Sequence, residues 1–192
     1  MDIVPQATSD QEIVRRAIHQ ADDFALIIER YQQPIRRYIM RLGCRSQSDA
    51  DDLLQDIFLK VYLHLNDYNP KLKFSSWVYR IGHNETINFF RKQKRHIQPV
   101  ATEEDLELFE KVADPLNIPA ALDTKLTAER VNQALTHLNG RYQDVLVLRY
   151  LEEKSYAEIS DILKIPIGTA WTLVHRAKKQ LHNFFLEHNL QP

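Results

Sequence analysis

The chain of 192 residues holds only four glycines and a single cysteine. One thiol, Cys44, excludes an internal disulfide and fits a reducing compartment. So few glycines, with little β-branched alternation, leave no material for sheets and their tight turns, and a nearly all-helical fold is expected. No apolar run approaches the ~20 residues of a membrane span. The start, Met1–Asp10, lacks the basic flank and apolar stretch of a secretory leader. The expectation is a cytoplasmic protein with no direct membrane insertion. Histidine and cysteine spacing suggests no metal site, and no cofactor is implied. The formal net charge of −1 excludes nothing, because charge here is segregated along the chain rather than absent. With 44% hydrophobic residues, the chain can bury one core or two small ones.

The first half reads as three or four helices. Asp10 is expected to cap a short helix through Ile13, Val14, Ala17 and Ile18. Phe24–Leu42 carries apolar residues at helical spacing, with Pro34 expected to bend it or mark a join and Gly43 to end it. Ser48–Asp51 reads as a helix start with acids in its first turn, where the helix dipole favours them. That helix continues to Leu65, and Asn66–Lys73 is a loop by its Asn, Asp and Pro content.

Phe74–Arg95 follows, with Ser75 or Ser76 as the expected cap. At 100° per residue, Val78, Ile81, Gly82 and Phe89 make a core side. Arg80, Asn84, Asn88, Arg91 and Arg95 gather opposite, with Trp77 at the edge and Glu85 as the only acid. Ordinary wet faces alternate signs and make local ion pairs. A basic and amide face beside a flat aromatic suits phosphates, base edges and unstacked bases. The bland alternative is a solvated charged face with Trp77 half buried.

Asp49, Asp51, Asp52 and Asp56 admit three readings: favourable first-turn acids, Mg²⁺ ligands of a nuclease, or a docking face for a basic partner. No accompanying Lys, His or second carboxylate pair supports the nuclease. From His96 to Asp123 the composition turns acidic and is broken by Pro99, Pro115 and Pro119, which reads as a flexible linker. Beyond it, Thr124 or Thr127 opens a helix that Asn139-Gly140 stops, and Tyr142–Leu151 is a second. Ser155-Tyr-Ala-Glu158 is a capping box. Lys164–Gly168 is a turn, and Thr169 caps a last helix with Leu173, Val174, Ala177 and Leu181 inward. Trp171, Thr172, His175, Arg176, Lys178 and Lys179 project outward from it. A short capped helix, a turn and a basic second helix describe a helix-turn-helix, the alternative being an ordinary helical hairpin.

In order, DADDLLQDIFLKVYLHL, FSSWVYRIGHNETINFFRKQKR and SYAEISDILKIPIGTAWTLVHRAKKQL resemble a group IV (extracytoplasmic function) sigma factor of the sigma-70 family, over residues 24–96 and 124–185. The resemblance implies an all-α fold of two small helical domains. Residues 1–96 would form a sigma-2-like domain, 97–123 an acidic linker threading toward the polymerase active site, and 124–192 a sigma-4-like helix-turn-helix domain. It implies that Asp49, Asp52, Leu53, Gln55, Asp56, Ile57 and Phe58 dock on the β′ clamp helices of core RNA polymerase, whose β flap is a further partner surface. Tyr68, Trp77, Arg80, Asn84, Asn88, Arg91 and Arg95 would read and melt the minus-ten promoter element. Ser155, Tyr156, Thr169, Trp171, Thr172, His175, Arg176, Lys178 and Lys179 would face the minus-thirty-five element. Trp171 and Leu173 depart from the family pattern, which usually writes basic residues there. Many members are held by an anti-sigma factor, often membrane-anchored, and such a partner is expected. The resemblance implies a non-enzymatic transcription initiation factor. A polymerase-independent helix-turn-helix regulator and a metal-dependent nuclease are the competing classes.

Overall fold

The computed structural model describes residues 8–93, 135, 138 and 140–187. Every regular element among them is helical. The first half holds α1 (Asp10–His19), α2 (Phe24–Arg41), α3 (Gln47–Leu63) and α4 (Phe74–Lys92). The second holds α5 (Gly140–Leu146), which runs on as a π-helical turn over Val147–Leu151, then α6 (Tyr156–Leu163) and α7 (Ile167–Glu187). The acidic linker, Arg95 and the helix expected after Thr124 lie outside the described residues.

Helix α2 is the hub of the first half. Ile27, Ile35, Tyr38 and Ile39 have no exposed surface, and α1, α3 and α4 all pack on this helix. Pro34 stands inside an unbroken helix rather than at a join. Gly43 follows as expected, with φ of 116°, a left-handed value that a side chain disfavours. In the second half, α5 and α6 both pack on α7, through Val145, Ile159, Ile162, Ala170, Val174 and Ala177 among others. The halves are in contact, α6 lying against α4.

Four expected helix starts shift. Ser9, not Asp10, caps α1, its hydroxyl accepting from Glu12 N–H at 3.3 Å. Ser46, not Ser48, caps α3 through Asp49 N–H at 3.2 Å. In both, two nearby polar residues could cap, and the one with extended backbone does. Helix α4 already begins at Phe74, so Lys73 holds the cap position with no side-chain cap, and Ser75 and Ser76 lie inside the first turn. Helix α7 begins at Ile167, so Thr169 lies within its first turn. The Ser155–Glu158 capping box forms as expected. Gly140 opens α5, and the helix it was expected to stop lies outside the described residues.

Gly82 lies where α4 passes over α2 and α3. A Cβ there would meet Ile35 Cγ2 at 3.6 Å and Ile57 Cδ1 at 3.9 Å, ordinary contact distances. Gly82→Ala therefore gains helix propensity without a clash, worth about 0.5–1 kcal/mol. Thermal unfolding of the variant should shift upward by about 1–4 °C. Ile57→Ala, at a fully buried site, should cost about 2–5 kcal/mol in denaturant melts.

Candidate docking and DNA-reading faces

Helix α3 divides its residues by facing. Asp52, Gln55 and Asp56 are exposed and Asp49 is half-buried, while Leu53, Ile57 and Phe58 turn into the core. The last three were expected at the docking surface, and their burial corrects this: with 3.6 residues per turn a seven-residue block cannot present every member outward. Asp51 is held by Arg36 of α2. The outward stripe instead runs on through Leu59, Tyr62 and Leu63, which are 56%, 45% and 63% exposed. A docking face of acids flanking exposed apolar residues was among the readings of the sequence, but Leu59, Tyr62 and Leu63 were not singled out for it.

Helix α4 carries the candidate DNA-reading face. Asn84 and Arg91 are exposed, Arg80 and Asn88 half-buried, and Arg91 Nη2 donates to Asn88 Oδ1 at 3.0 Å. Glu85 is neutralised by Lys60 of α3 at 2.6 Å, so the face is more basic than its composition suggests. The core side differs from expectation. Ile81 and Phe89 are only half-buried, whereas Phe74, Trp77, Tyr79, His83, Thr86 and Phe90 are buried alongside Val78 and Gly82. Trp77 was expected at the edge of the wet face. It is 5% exposed, stacked on Phe74 at 5.6 Å and tilted against Tyr68 at 5.7 Å. Its indole gains more from this aromatic cluster than from water. Tyr68 also turns inward, its hydroxyl donating to the Leu72 carbonyl at 2.6 Å, which shapes the loop ahead of α4.

On the helix-turn-helix, Thr169, Trp171, His175, Arg176 and Lys179 of α7 are exposed. Thr172 and Lys178 are half-buried, as is Leu173, expected in the core. The Trp171 ring lies 4.0 Å from His175, centroid to centroid, so an aromatic pair is built from one of the two positions, 171 and 173, where cations were looked for. Lys178 sits over Tyr150, and burial lowers its pKa. Ser155 spends its side chain on the cap, and Tyr156 receives Arg149 over its ring at 5.1 Å. Lys164 closes α6 with φ of 54°, a left-handed residue braced by Ser160 Oγ–H donating to Ile165 O at 2.6 Å.

A polar cluster not foreseen from the sequence joins the halves. Arg41 Nη1 of α2 donates to Leu151 O and Glu152 Oε1, both at 2.7 Å, and Tyr79 OH of α4 donates to Glu152 Oε2 at 2.7 Å. Lys154 Nζ lies 4.0 Å from the Tyr79 ring centroid. The Arg41 and Glu152 side chains are 9% and 5% exposed. Burial raises the Glu152 pKa, although Tyr79 and Arg41 pull it down, and burial lowers that of Lys154. Nearby, Tyr38 OH and His83 Nδ1 are 3.0 Å apart, and His83 Nε2 is 3.8 Å from Asp144 Oδ2. Burial pushes His83 down to about 4 and Asp144 up to about 7, each toward its neutral form.

Residues 27–96 match the family model of Sigma-70 region 2, and residues 128–181 that of Sigma-70, region 4. The chain is 33% identical to the ECF RNA polymerase sigma factor SigW of Bacillus subtilis, over 83% of this chain and 87% of that protein. It is 26% identical to the ECF RNA polymerase sigma-E factor of Haemophilus influenzae, over 91% of this chain and 94% of that one. Among solved structures it resembles CnrH in complex with the cytosolic domain of CnrY, with a TM-score of 0.68 at 21% identity, covering 93% of this chain and 97% of CnrH. It also resembles the sigma factor RpoE bound to the anti-sigma factor NepR, from Bartonella quintana, with a TM-score of 0.59 at 21% identity, covering 84% of this chain and 95% of that one. The solved structures bear on the fold alone.

With its ring enclosed, Trp77 contributes to stability before anything else. Trp77→Ala should cost about 3–5 kcal/mol in chemical denaturation. Asn84→Ala, at an exposed site, should leave the unfolding midpoint within about 0.5 kcal/mol of wild type.

Proposed function

We infer the role of this chain from the family it belongs to, the extracytoplasmic function branch of the sigma-70 factors: it is an alternative sigma factor that directs promoter-specific transcription initiation by RNA polymerase. The observation that carries this reading is the joint match to region 2 and region 4, in order, along one chain. A free-standing helix-turn-helix regulator would need only the second. As a sigma factor it does no bond-making chemistry; the polymerase does that, in the cytoplasm. The division into residues 1–96, 97–123 and 124–192 belongs to this proposal, with one promoter element assigned to each folded half.

The docking surface we assign to the outward stripe of α3: Asp52, Gln55 and Asp56, extended by Leu59 and Leu63. Carboxylates steer a basic partner into register, and apolar side chains beside them lose water on contact. Minus-ten reading we assign to Arg80, Asn84, Asn88 and Arg91. Amides suit base edges, and guanidinium groups suit phosphates or the faces of unstacked bases. Trp77 and Tyr68 then act from beneath, holding the loop and the first turn of α4 in place. An extruded base would have to displace or edge past their cluster, a cost of a few kcal/mol repaid by a pocket and backbone contacts. Arg95 belongs to the same proposed face.

Minus-thirty-five reading we assign to α7, through Thr169, Trp171, Thr172, His175, Arg176, Lys178 and Lys179, with Ser155 and Tyr156 at the start of α6. The Trp171–His175 pair favours apolar contact, such as a thymine methyl, over guanine recognition by cations. Promoter choice should therefore lean more on the minus-ten element. An anti-sigma factor completes the proposed partners, as NepR does for RpoE.

Asp52→Lys with Asp56→Lys should abolish co-purification with core polymerase while circular dichroism stays unchanged, because like charges would then meet at the interface. Retained co-purification would remove α3 as the docking surface. Asn84→Ala should relax base preference at one minus-ten position by about 1–3 kcal/mol. Arg176→Ala should weaken binding across all sequences and flatten the salt dependence, as a phosphate contact does. A randomised-promoter selection giving a sharp minus-thirty-five motif and a degenerate minus-ten motif would reverse this ranking.

A further inference from the structure

We propose that the recess between α2, the start of α4 and the turn at residues 152–154 is a binding site for a phosphorylated small molecule. Arg37, Lys154 and the Ser75 hydroxyl take its phosphoryl group, and Glu153 takes hydroxyls on the body that carries it. No residue of this site belongs to the docking and DNA-reading faces proposed above, and it stands or falls without them.

Size and charge make the first argument. The recess measures about 520 Å³, within the ~300–1,000 Å³ of small-molecule sites. Pro34, Tyr79 and Leu151 give it apolar wall. Two of its acids are already matched. Asp10 accepts from Arg30 at 2.8 Å and from Tyr31 at 2.6 Å, and Glu152 from Arg41 and Tyr79, each at 2.7 Å. Arg37 and Lys154 are left without an ion-pair partner among the described residues, and the one acid of the wall still unmatched is the exposed Glu153. Both cations stand beside Tyr79. Lys154 Nζ lies 4.0 Å from its ring centroid, while the charge of Arg37, with that of Arg41, opposes the rise in its pKa that burial and Glu152 cause. Lys154 is half-buried in this position, and burial lowers its pKa. A desolvated ammonium covered on one side by a ring gains from an anion on the other.

The turn is fixed before any ligand arrives. Glu152 N–H donates to Val147 O at 3.0 Å, Lys154 N–H to Leu148 O at 2.8 Å, and Arg149 Nη1 to Lys154 O at 3.0 Å. Glu153 is held between them at φ of 51°, a left-handed value that a side chain disfavours. Pinned neighbours thus hold Glu153 and Lys154 together in the wall of the recess.

The donor set selects the ligand. A phosphoryl group carries more charge and more acceptor oxygens than a carboxylate, and a guanidinium meets it through two N–H groups. Ser75, half-buried and with no hydrogen-bond partner for its hydroxyl among the described residues, adds a neutral donor. The phosphates of a DNA duplex are the competing source of this chemistry. They line a stiff, convex cylinder, which a recess that half-buries Lys154 does not admit. A phosphate ester on a small sugar-like body fits within it, its hydroxyls toward Glu153.

Titration calorimetry of the full chain tests this, with inorganic phosphate, ribose 5-phosphate and adenosine 5′-diphosphate as probes. One saturable site is expected for the two esters, tighter than for inorganic phosphate. Arg37→Gln and Lys154→Gln should each weaken it about ten- to a hundred-fold, as loss of a charge-assisted contact does, with circular dichroism unchanged. Glu153→Gln should weaken ribose 5-phosphate several-fold and leave inorganic phosphate no weaker. Arg15→Gln, on α1 outside the recess, should bind as the wild type does, which separates the site from general surface charge. If Lys154→Gln fails to fold, Arg37→Gln at its exposed position carries the test. A tighter nucleotide assigns nucleotides as the ligand, and a tighter sugar phosphate assigns sugar phosphates; either supports the site. No saturable binding of any probe would overturn it, as would equal binding by Arg37→Gln and the wild type. So would inorganic phosphate binding as tightly as both esters. A duplex DNA whose affinity alone depends on Arg37 would also overturn it and make these cations backbone contacts.

Discussion

The aromatic packing at the start of α4 is the constraint on which the first half depends. Phe74 lies edge-on to Tyr31 at 5.6 Å and to Tyr68 at 5.1 Å, and stacks with Trp77. Tyr31 in turn donates to Asp10 at 2.6 Å, tying α1 into the same cluster. One knot of rings thus fixes α1, α2, the loop before α4 and the first turn of α4. Several kcal/mol of burial stand behind it. What remains outside, Arg80, Asn84 and Arg91, is carried by a helix that cannot rotate without breaking the knot. Rigid support beneath a few exposed polar groups is what base-edge recognition requires.

Much of this was legible in the sequence because periodicity reports facing. Most of the α2 core, Val174, Ala177 and Leu181 of α7, the Gly43 stop and the Ser155 capping box follow from local rules, and the order of three blocks pointed to the family. The misreadings share a cause. Trp77 was placed at a wet edge and Leu53, Ile57 and Phe58 at an interface. An amphipathic boundary residue is settled by its neighbours in space, here Phe74 and Tyr68 for Trp77. The Arg41–Glu152–Tyr79 cluster could not be read at all, since its members stand more than a hundred or seventy positions apart.

Charge stands in two different settings among the described residues. On α3, exposed carboxylates stand beside exposed leucines. Between the halves, buried charges are already matched, and burial holds His83 and Asp144 toward their neutral forms. The first leaves charge and apolar surface open to water, and the second joins α2 and α4 to the second half.

The central claim, that this chain confers promoter opening on RNA polymerase, is tested most directly by permanganate reactivity of thymines. Promoter DNA would be probed with core polymerase alone, with the chain alone, and with both. The account predicts reactive thymines around the minus-ten element only when both are present. Protection of duplex DNA by the chain alone, with no thymine becoming reactive when polymerase is added, would contradict it and favour a free-standing regulator.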